Sequence, residues 1–175
     1  MKERNYTLKK SNLSSKKPLF AISSCLAGEQ VRYDGKSQAL GDELAQLEAK
    51  YRLLSICPEM AIGLGVPRPP IHLRWSESTQ NYRAVLIEQP EVDYTEALHD
   101  YAVLLLAKYP ELTGVILKQK SPSCGTGKTK LFDRHGELQR ADGWGIFAAE
   151  LLRLRPCLQV LNENNIIYHI KSSGI

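Results

Sequence analysis

Arg52-Leu53-Leu54-Ser55-Ile56-Cys57-Pro58-Glu59 is the stretch that decides the fold. A short apolar run stops at once in a cysteine and a proline. A buried strand of a parallel sheet reads this way where it gives way to a loop. The same arrangement stands on either side of it. Leu19-Phe20-Ala21-Ile22 leads through Ser23-Ser24 into Cys25, and Gly114-Val115-Ile116-Leu117 leads through Lys118-Gln119-Lys120 into Ser121-Pro122-Ser123-Cys124-Gly125. In such sheets ligands bind beyond the carboxyl ends of the strands. Three cysteines just past three strand ends therefore predict one shared site, although 32 and 67 positions separate them in sequence.

Helical spacing fills the gaps between the strands. Leu40, Leu44 and Leu47 place a helix over 38–50, and Leu98, Val103, Leu105 and Leu106 place another over 93–109, with Asp93 as its N-cap. A third helix is predicted over 144–154 and a short strand over 158–161. Residues 71–75 and 82–88 flank a polar turn and read as a β-hairpin, and 131–140 reads as a polar segment turning near Asp133, His135 and Gly136. Strands alternating with helices predict an α/β fold: a single domain over 18–175, Rossmann-like and three-layered, with a mainly parallel sheet plus a β-hairpin. Between Cys57 and Pro70 lies a long segment whose last eight residues hold three Pro and two Gly. A loop so long and stiff inside a small domain points to function. Cys157 precedes its strand, so it is expected at the opposite edge of the sheet, as a small buried hydrophobe.

The chain has 175 residues, 43% hydrophobic and 24% charged, which are globular values. No apolar run is long enough to span a bilayer, and the N-terminus lacks a signal-peptide core, so a cytoplasmic protein without membrane contact is expected. Reduced thiols there favour metal or catalytic use of the four cysteines over disulfides. Of the net charge of +4, residues 1–17 carry +5, which leaves −1 for the rest. The body is therefore no basic nucleic-acid binder by bulk charge. Residues 1–17 read as a disordered basic tail.

Three thiolates suit a soft metal centre, zinc or an iron–sulfur cluster, though no pair has C-x-x-C spacing. A cluster held by three Cys leaves one iron without a protein ligand, an open position for substrate. The plain alternative is three ordinary buried thiols. Glu59, two residues past Cys57, is placed to act as a general base on water. Ser121 and Ser123 can orient a substrate by hydrogen bonding. Arg32 and Arg68 suit an anionic group such as phosphate, or a paired carboxylate. Asp34 reads as a site residue or as a turn residue before Gly35. Gly125-Thr126-Gly127-Lys128-Thr129 is no P-loop, because Pro122 stands where the motif needs its first Gly. The four His are scattered, and no pair has ligand spacing.

Ser24-Cys25-Leu26-Ala27-Gly28-Glu29-Gln30-Val31-Arg32-Tyr33-Asp34-Gly35, Cys57-Pro58-Glu59, Gly63-Leu64-Gly65-Val66-Pro67-Arg68-Pro69-Pro70 and Lys118 with Ser121-Pro122-Ser123-Cys124-Gly125 together resemble the TudS-type thiouracil desulfidase family. The resemblance runs from about residue 21 to 161. It implies a 4Fe–4S cluster on Cys25, Cys57 and Cys124, with one open iron, and non-redox hydrolytic removal of sulfur as sulfide from a thiolated pyrimidine. The substrate would be thiouracil, thiouridine or thiouridine monophosphate. Glu59 and Ser121 match the family's acid/base and positioning groups, with Ser24, Arg32, Asp34, Arg68 and Ser123 as substrate-binding candidates. Longer relatives that act on thiouridine in tRNA carry an extra C-terminal domain. This chain stops at Ile175, so a free base or nucleotide is expected ahead of tRNA. A non-catalytic module holding zinc or a cluster is the competing expectation.

Overall fold

The computed structural model describes residues 17–172. In chain order the elements are β1 (Leu19–Ser23), α1 (Asp42–Lys50), β2 (Arg52–Ile56), α2 (Pro58–Ala61), β3 (Ile71–Ser76), β4 (Asn81–Leu86), α3 (Thr95–Lys108), β5 (Leu112–Leu117), β6 (Thr126–Phe132), β7 (Leu138–Trp144), α4 (Ile146–Leu154), β8 (Gln159–Asn162) and α5 (Ile166–Ser172). The predicted α/β fold holds. β2, β1, β5 and β8 pair in that order into an all-parallel sheet.

Successive residues of a strand point to opposite faces, and the apolar runs use both. Phe20 and Ile22, with Ile116 and Leu161, pack against Leu47 of α1 and Ile166 of α5. Leu19 and Ala21, with Val115 and Leu117, pack against Leu98, Ala102 and Leu105 of α3 and Phe147 and Leu151 of α4. The result is a sheet between two helical layers. Gly114 has to be glycine because a Cβ there would lie 2.2 Å from the Phe20 ring. From β1 the chain runs through α1 to β2, then returns across β1 to β5, so the topological switch falls between β1 and β5. Cys25 and Cys124 follow the two strands that flank the switch, and Cys57 follows the next strand out.

The predicted hairpin is β3–β4, paired from Ile71↔Leu86 to Ser76↔Asn81. It belongs to a second sheet, ordered β4-β3-β6-β7, whose Ile71, Leu73, Ala84, Leu86 and Leu131 join the larger core. β6 and β7 went unpredicted, although the turn between them lies where expected: Asp133 Oδ1 accepts from the N–H of His135 at 2.8 Å and of Glu137 at 2.9 Å. β7 buries only Gly143, so it has no apolar alternation to read. α5 was also not foreseen.

Helix boundaries differ from expectation for local reasons. α1 starts at Asp42, because Gln38 N–H donates to Cys25 O at 2.8 Å and Leu40 N–H to Leu26 O at 3.0 Å, tying this segment to the loop after β1. α3 starts at Thr95, whose N–H donates to Asp93 Oδ1 at 2.8 Å, so Asp93 supplies the cap two residues out. α4 starts at Ile146, with Gly145 extended (φ −67, ψ 148) as N-cap.

Cys157 corrects a prediction. It lies before β8, on the expected edge, but it is exposed. The turn after α4 closes with Leu158 N–H donating to Arg155 O at 3.0 Å, and Leu158 takes the buried place at 5% exposure. The tail assigned to 1–17 falls outside the described residues, except Lys17, whose Nζ donates to Glu48 O at 2.8 Å. No described helix is long and apolar enough to cross a membrane.

Candidate functional site

Cys25, Cys57 and Cys124 line one cavity of about 430 Å³ at the carboxyl edge of the parallel sheet. Each is placed by its own local structure. After β1 the chain turns back, with Leu26 N–H donating to Ser23 O and Ser24 N–H to Ile56 O, both at 2.8 Å. Ser24 Oγ lies 2.7 Å from Ser55 Oγ, which donates to the Glu29 carboxylate. Cys57 is the N-cap of α2, and Pro58 occupies the first helical position, where a missing N–H costs nothing. This single turn of helix sets Glu59 beside the cavity.

Cys124 sits in a turn built on Ser121, whose Oγ accepts from the N–H groups of Ser123 and Cys124, each at 3.1 Å. Ser121 lines the cavity, and with both bonds accepted its own proton remains available to a ligand. Ser23 Oγ accepts from Lys118 N–H at 3.1 Å and hydrogen-bonds the Cys124 thiol.

Glu59 is held at both oxygens. Ser123 Oγ donates to Oε1 at 2.8 Å and Arg68 Nε to Oε2 at 2.8 Å. The two charged side chains are 13% and 4% exposed, so the pair is a buried one. Arg68 Nη1 also donates to Val31 O at 2.9 Å and Gly65 O at 2.8 Å. Its guanidinium thereby pins the loop after Cys25 to the loop after Cys57. The second loop reaches Arg68 through left-handed residues Gly63 (φ 89) and Gly65 (φ 72), a region glycine enters without strain.

The donor set suits a cationic, sulfur-loving centre. Burial pushes all three thiols upward. At Cys25 the nearby Cys57 adds to this, at Cys57 the Glu59 carboxylate opposes N–H bonds from its own helix turn, and at Cys124 the other two cysteines and Glu59 contribute. Three thiolates would repel one another there unless a cation sits among them. Among the described residues, no three His, Cys, Asp or Glu side chains converge tightly enough to hold one metal ion. The three cysteines share the lining of one cavity, and thiolate is the ligand type that iron–sulfur clusters take.

The structure brings Ser24, Arg32, Arg68, Glu59 and Ser121 to the cavity wall, alongside the three cysteines. It places two predicted residues elsewhere. Ser123 is fully buried behind Glu59. Asp34 stands outside the lining, where it accepts from Arg32 Nε at 3.4 Å and from Lys36 N–H at 3.2 Å. The sequence reading gave no site role to Ser23, Tyr33, Lys118 and Lys120, which also line the cavity. Their signal was available: Ser23 ends β1, and both lysines lie between β5 and Cys124, the position that singled out the cysteines.

Residues 20–164 match the 2-thiouracil desulfurase family. The uncharacterized protein YbbK of Bacillus subtilis (strain 168) is 31% identical over 154 residues, which cover 85% of this chain and 97% of YbbK. Among solved structures, the 4Fe–4S-dependent thiouracil desulfidase TudS superposes with a TM-score of 0.70 at 32% identity, over 91% of this chain and all of that one. The chain is thus matched in sequence over residues 20–164 and in fold over most of its length, and it belongs to the 2-thiouracil desulfurase family.

Proposed function

We propose that the protein is a 4Fe–4S-dependent desulfidase acting on a small thiolated pyrimidine: thiouracil, thiouridine or thiouridine monophosphate. The reaction exchanges C=S for C=O, with water supplying the oxygen and sulfur leaving as sulfide. Water and sulfide balance the exchange, so no external oxidant or reductant takes part. The observation that carries the reading is the convergence of Cys25, Cys57 and Cys124 on one cavity that also holds the Glu59 carboxylate. When bound by these three cysteines, the cluster supplies an iron without a protein ligand, a soft Lewis-acid position for sulfur.

The chain's own residues do the rest. Glu59 takes a proton from the attacking water, held in place for this by Ser123 and Arg68. Ser121 donates its hydroxyl proton to the pyrimidine, since its lone pairs already accept two backbone N–H groups. Ser24, hydrogen-bonded to Ser55, borders the same space. Arg32 and Lys120 line the cavity and suit a phosphorylated substrate, while the Lys118 ammonium is already paired with the Glu163 carboxylate. Arg68 pairs with the Glu59 carboxylate through Nε and ties down two backbone carbonyls through Nη1, the carboxylate-paired role its sequence position also allowed. Asp34 steadies Arg32.

The test is sulfide release by the anaerobically reconstituted protein from thiouracil, thiouridine and thiouridine monophosphate. Release from at least one, with the matching oxo-pyrimidine as the other product, is the expected outcome. Cluster-loaded protein inactive on all three would overturn the reading.

A further inference from the structure

Eighteen residues beyond Cys124 begins the sequence Asp142-Gly143-Trp144-Gly145, which holds two buried glycines whose neighbours differ in kind. A Cβ on Gly143 would meet the Leu131 side chain, with Cδ2 at 2.5 Å and Cγ at 2.7 Å. A Cβ on Gly145 would meet main chain: Gly125 N, Ser123 C and Ser123 O, each at 2.5 Å. Gly145 is extended at φ −67, ψ 148, which any residue adopts, so backbone conformation does not demand glycine there. Close approach does.

The segment that approaches is the turn that carries Cys124. Gly145 N–H donates to Gly125 O at 2.9 Å, Ile146 N–H to Pro122 O at 3.0 Å and Ala148 N–H to Ser123 O at 3.2 Å. Three carbonyls of the Pro122–Gly125 turn are thus seated on the first turn of α4. From that seat the Cys124 thiol faces the cavity, and the Ser123 hydroxyl reaches Glu59 Oε1 at 2.8 Å. A side chain at 145 has nowhere to go except into this turn, and the atoms it meets cannot rotate aside as Leu131 can.

We propose that Gly145 is a positioning residue for the third cysteine: its missing side chain lets the turn dock on α4, and the docking sets Cys124 and Ser123 together. The proposal rests on the reading of Cys124 as a cluster ligand. Gly143, two residues away, has a packing role only.

Gly145→Ala and Gly143→Ala are compared with the parent after anaerobic reconstitution, by iron and acid-labile sulfide per chain, visible spectrum and thermal unfolding. Gly145→Ala should retain iron about tenfold or more poorly, the size expected when a group orienting a metal ligand is disturbed. Gly143→Ala should lower Tm and keep the parent's iron and spectrum. Parent-like iron and spectrum in Gly145→Ala would overturn the proposal, and so would equal iron loss in the two variants. A parent chain that binds no iron would instead overturn the cluster reading itself. If Gly145→Ala does not fold, Ile146→Pro decides. Proline has the backbone angles for a first helical position, and here its ring Cδ replaces the N–H that Pro122 O accepts at 3.0 Å, which pushes that carbonyl off the helix start. Reduced iron in folded Ile146→Pro supports the seat, and parent-like iron overturns it.

Discussion

The two edges of the parallel sheet carry similar residues in different settings. Each has a cysteine next to a proline: Cys57-Pro58 at the carboxyl edge and Pro156-Cys157 at the amino edge. Each has an arginine–glutamate pair. At the amino edge Arg52 Nη2 and Glu111 Oε1 lie 3.3 Å apart, with side chains 46% and 55% exposed. At the carboxyl edge Arg68 and Glu59 lie 2.8 Å apart, 4% and 13% exposed. The segments that join the strands make the difference. Short turns at the amino edge leave side chains in water. At the carboxyl edge, the segments after β1 and β2 fold over the strand ends and are tied together by Arg68. Position relative to strand polarity, more than residue type, separates a chemical site from a solvated rim.

Substitutions at matched positions can break this comparison, and the cysteines should show the largest effect. Cys25→Ala, Cys57→Ala and Cys124→Ala should each abolish iron retention and sulfide release, while Cys157→Ala keeps both at parental levels. Iron and sulfide analysis with an activity assay checks this. Equal effects at all four would erase the distinction between the edges.

Glu59→Gln comes next. It keeps the shape and one accepting oxygen for Arg68 Nε, with the amide nitrogen donating to Ser123 Oγ in place of the present bond, and it removes the basic oxygen, so turnover should fall by about 10²–10⁴-fold, the range for a lost general base. Iron content and spectrum should stay parental. Loss of iron together with rate would make Glu59 part of the cluster's support instead.

The arginines should give the smallest contrast. Arg68→Ala strands a buried carboxylate and should cost about 3–5 kcal/mol in unfolding free energy, with lower activity. Arg52→Ala removes an exposed pair and should cost under about 1 kcal/mol, with activity unchanged. Denaturant unfolding of both variants measures the gap. Equal costs would show that the two pairs are not set apart by burial.

The readable part of the molecule was the part whose signal is local. Short apolar runs giving way to polar, Cys- and Pro-bearing loops marked β1, β2 and β5, and strand polarity then placed three cysteines together and Cys157 apart. The exposure of Cys157 was not readable, because it turns on which of two neighbours, Cys157 or Leu158, the reversal after α4 buries. β6 and β7 were hidden by outward-facing polar residues. Within the site, the cysteines and Glu59 were visible from their strand ends. The Ser123–Glu59–Arg68 chain was not, because it joins a turn after β5 to two points of the loop after β2. Those contacts depend on a loop path through Gly63 and Gly65 that no periodicity encodes. The seat of Cys124 on Gly145 was invisible for the same reason: a close approach shows only once both backbones are placed.

Everything proposed for this protein depends on three strand-end cysteines holding an iron–sulfur cluster that serves desulfuration. The decisive measurement is anaerobic reconstitution of the parent chain, followed by a visible spectrum with iron and acid-labile sulfide analysis. A brown protein with about four iron and four sulfide per chain is expected, as a 4Fe–4S cluster requires, together with sulfide release on adding a thiopyrimidine. A colourless protein, or one that takes up zinc alone and releases no sulfide, would contradict it.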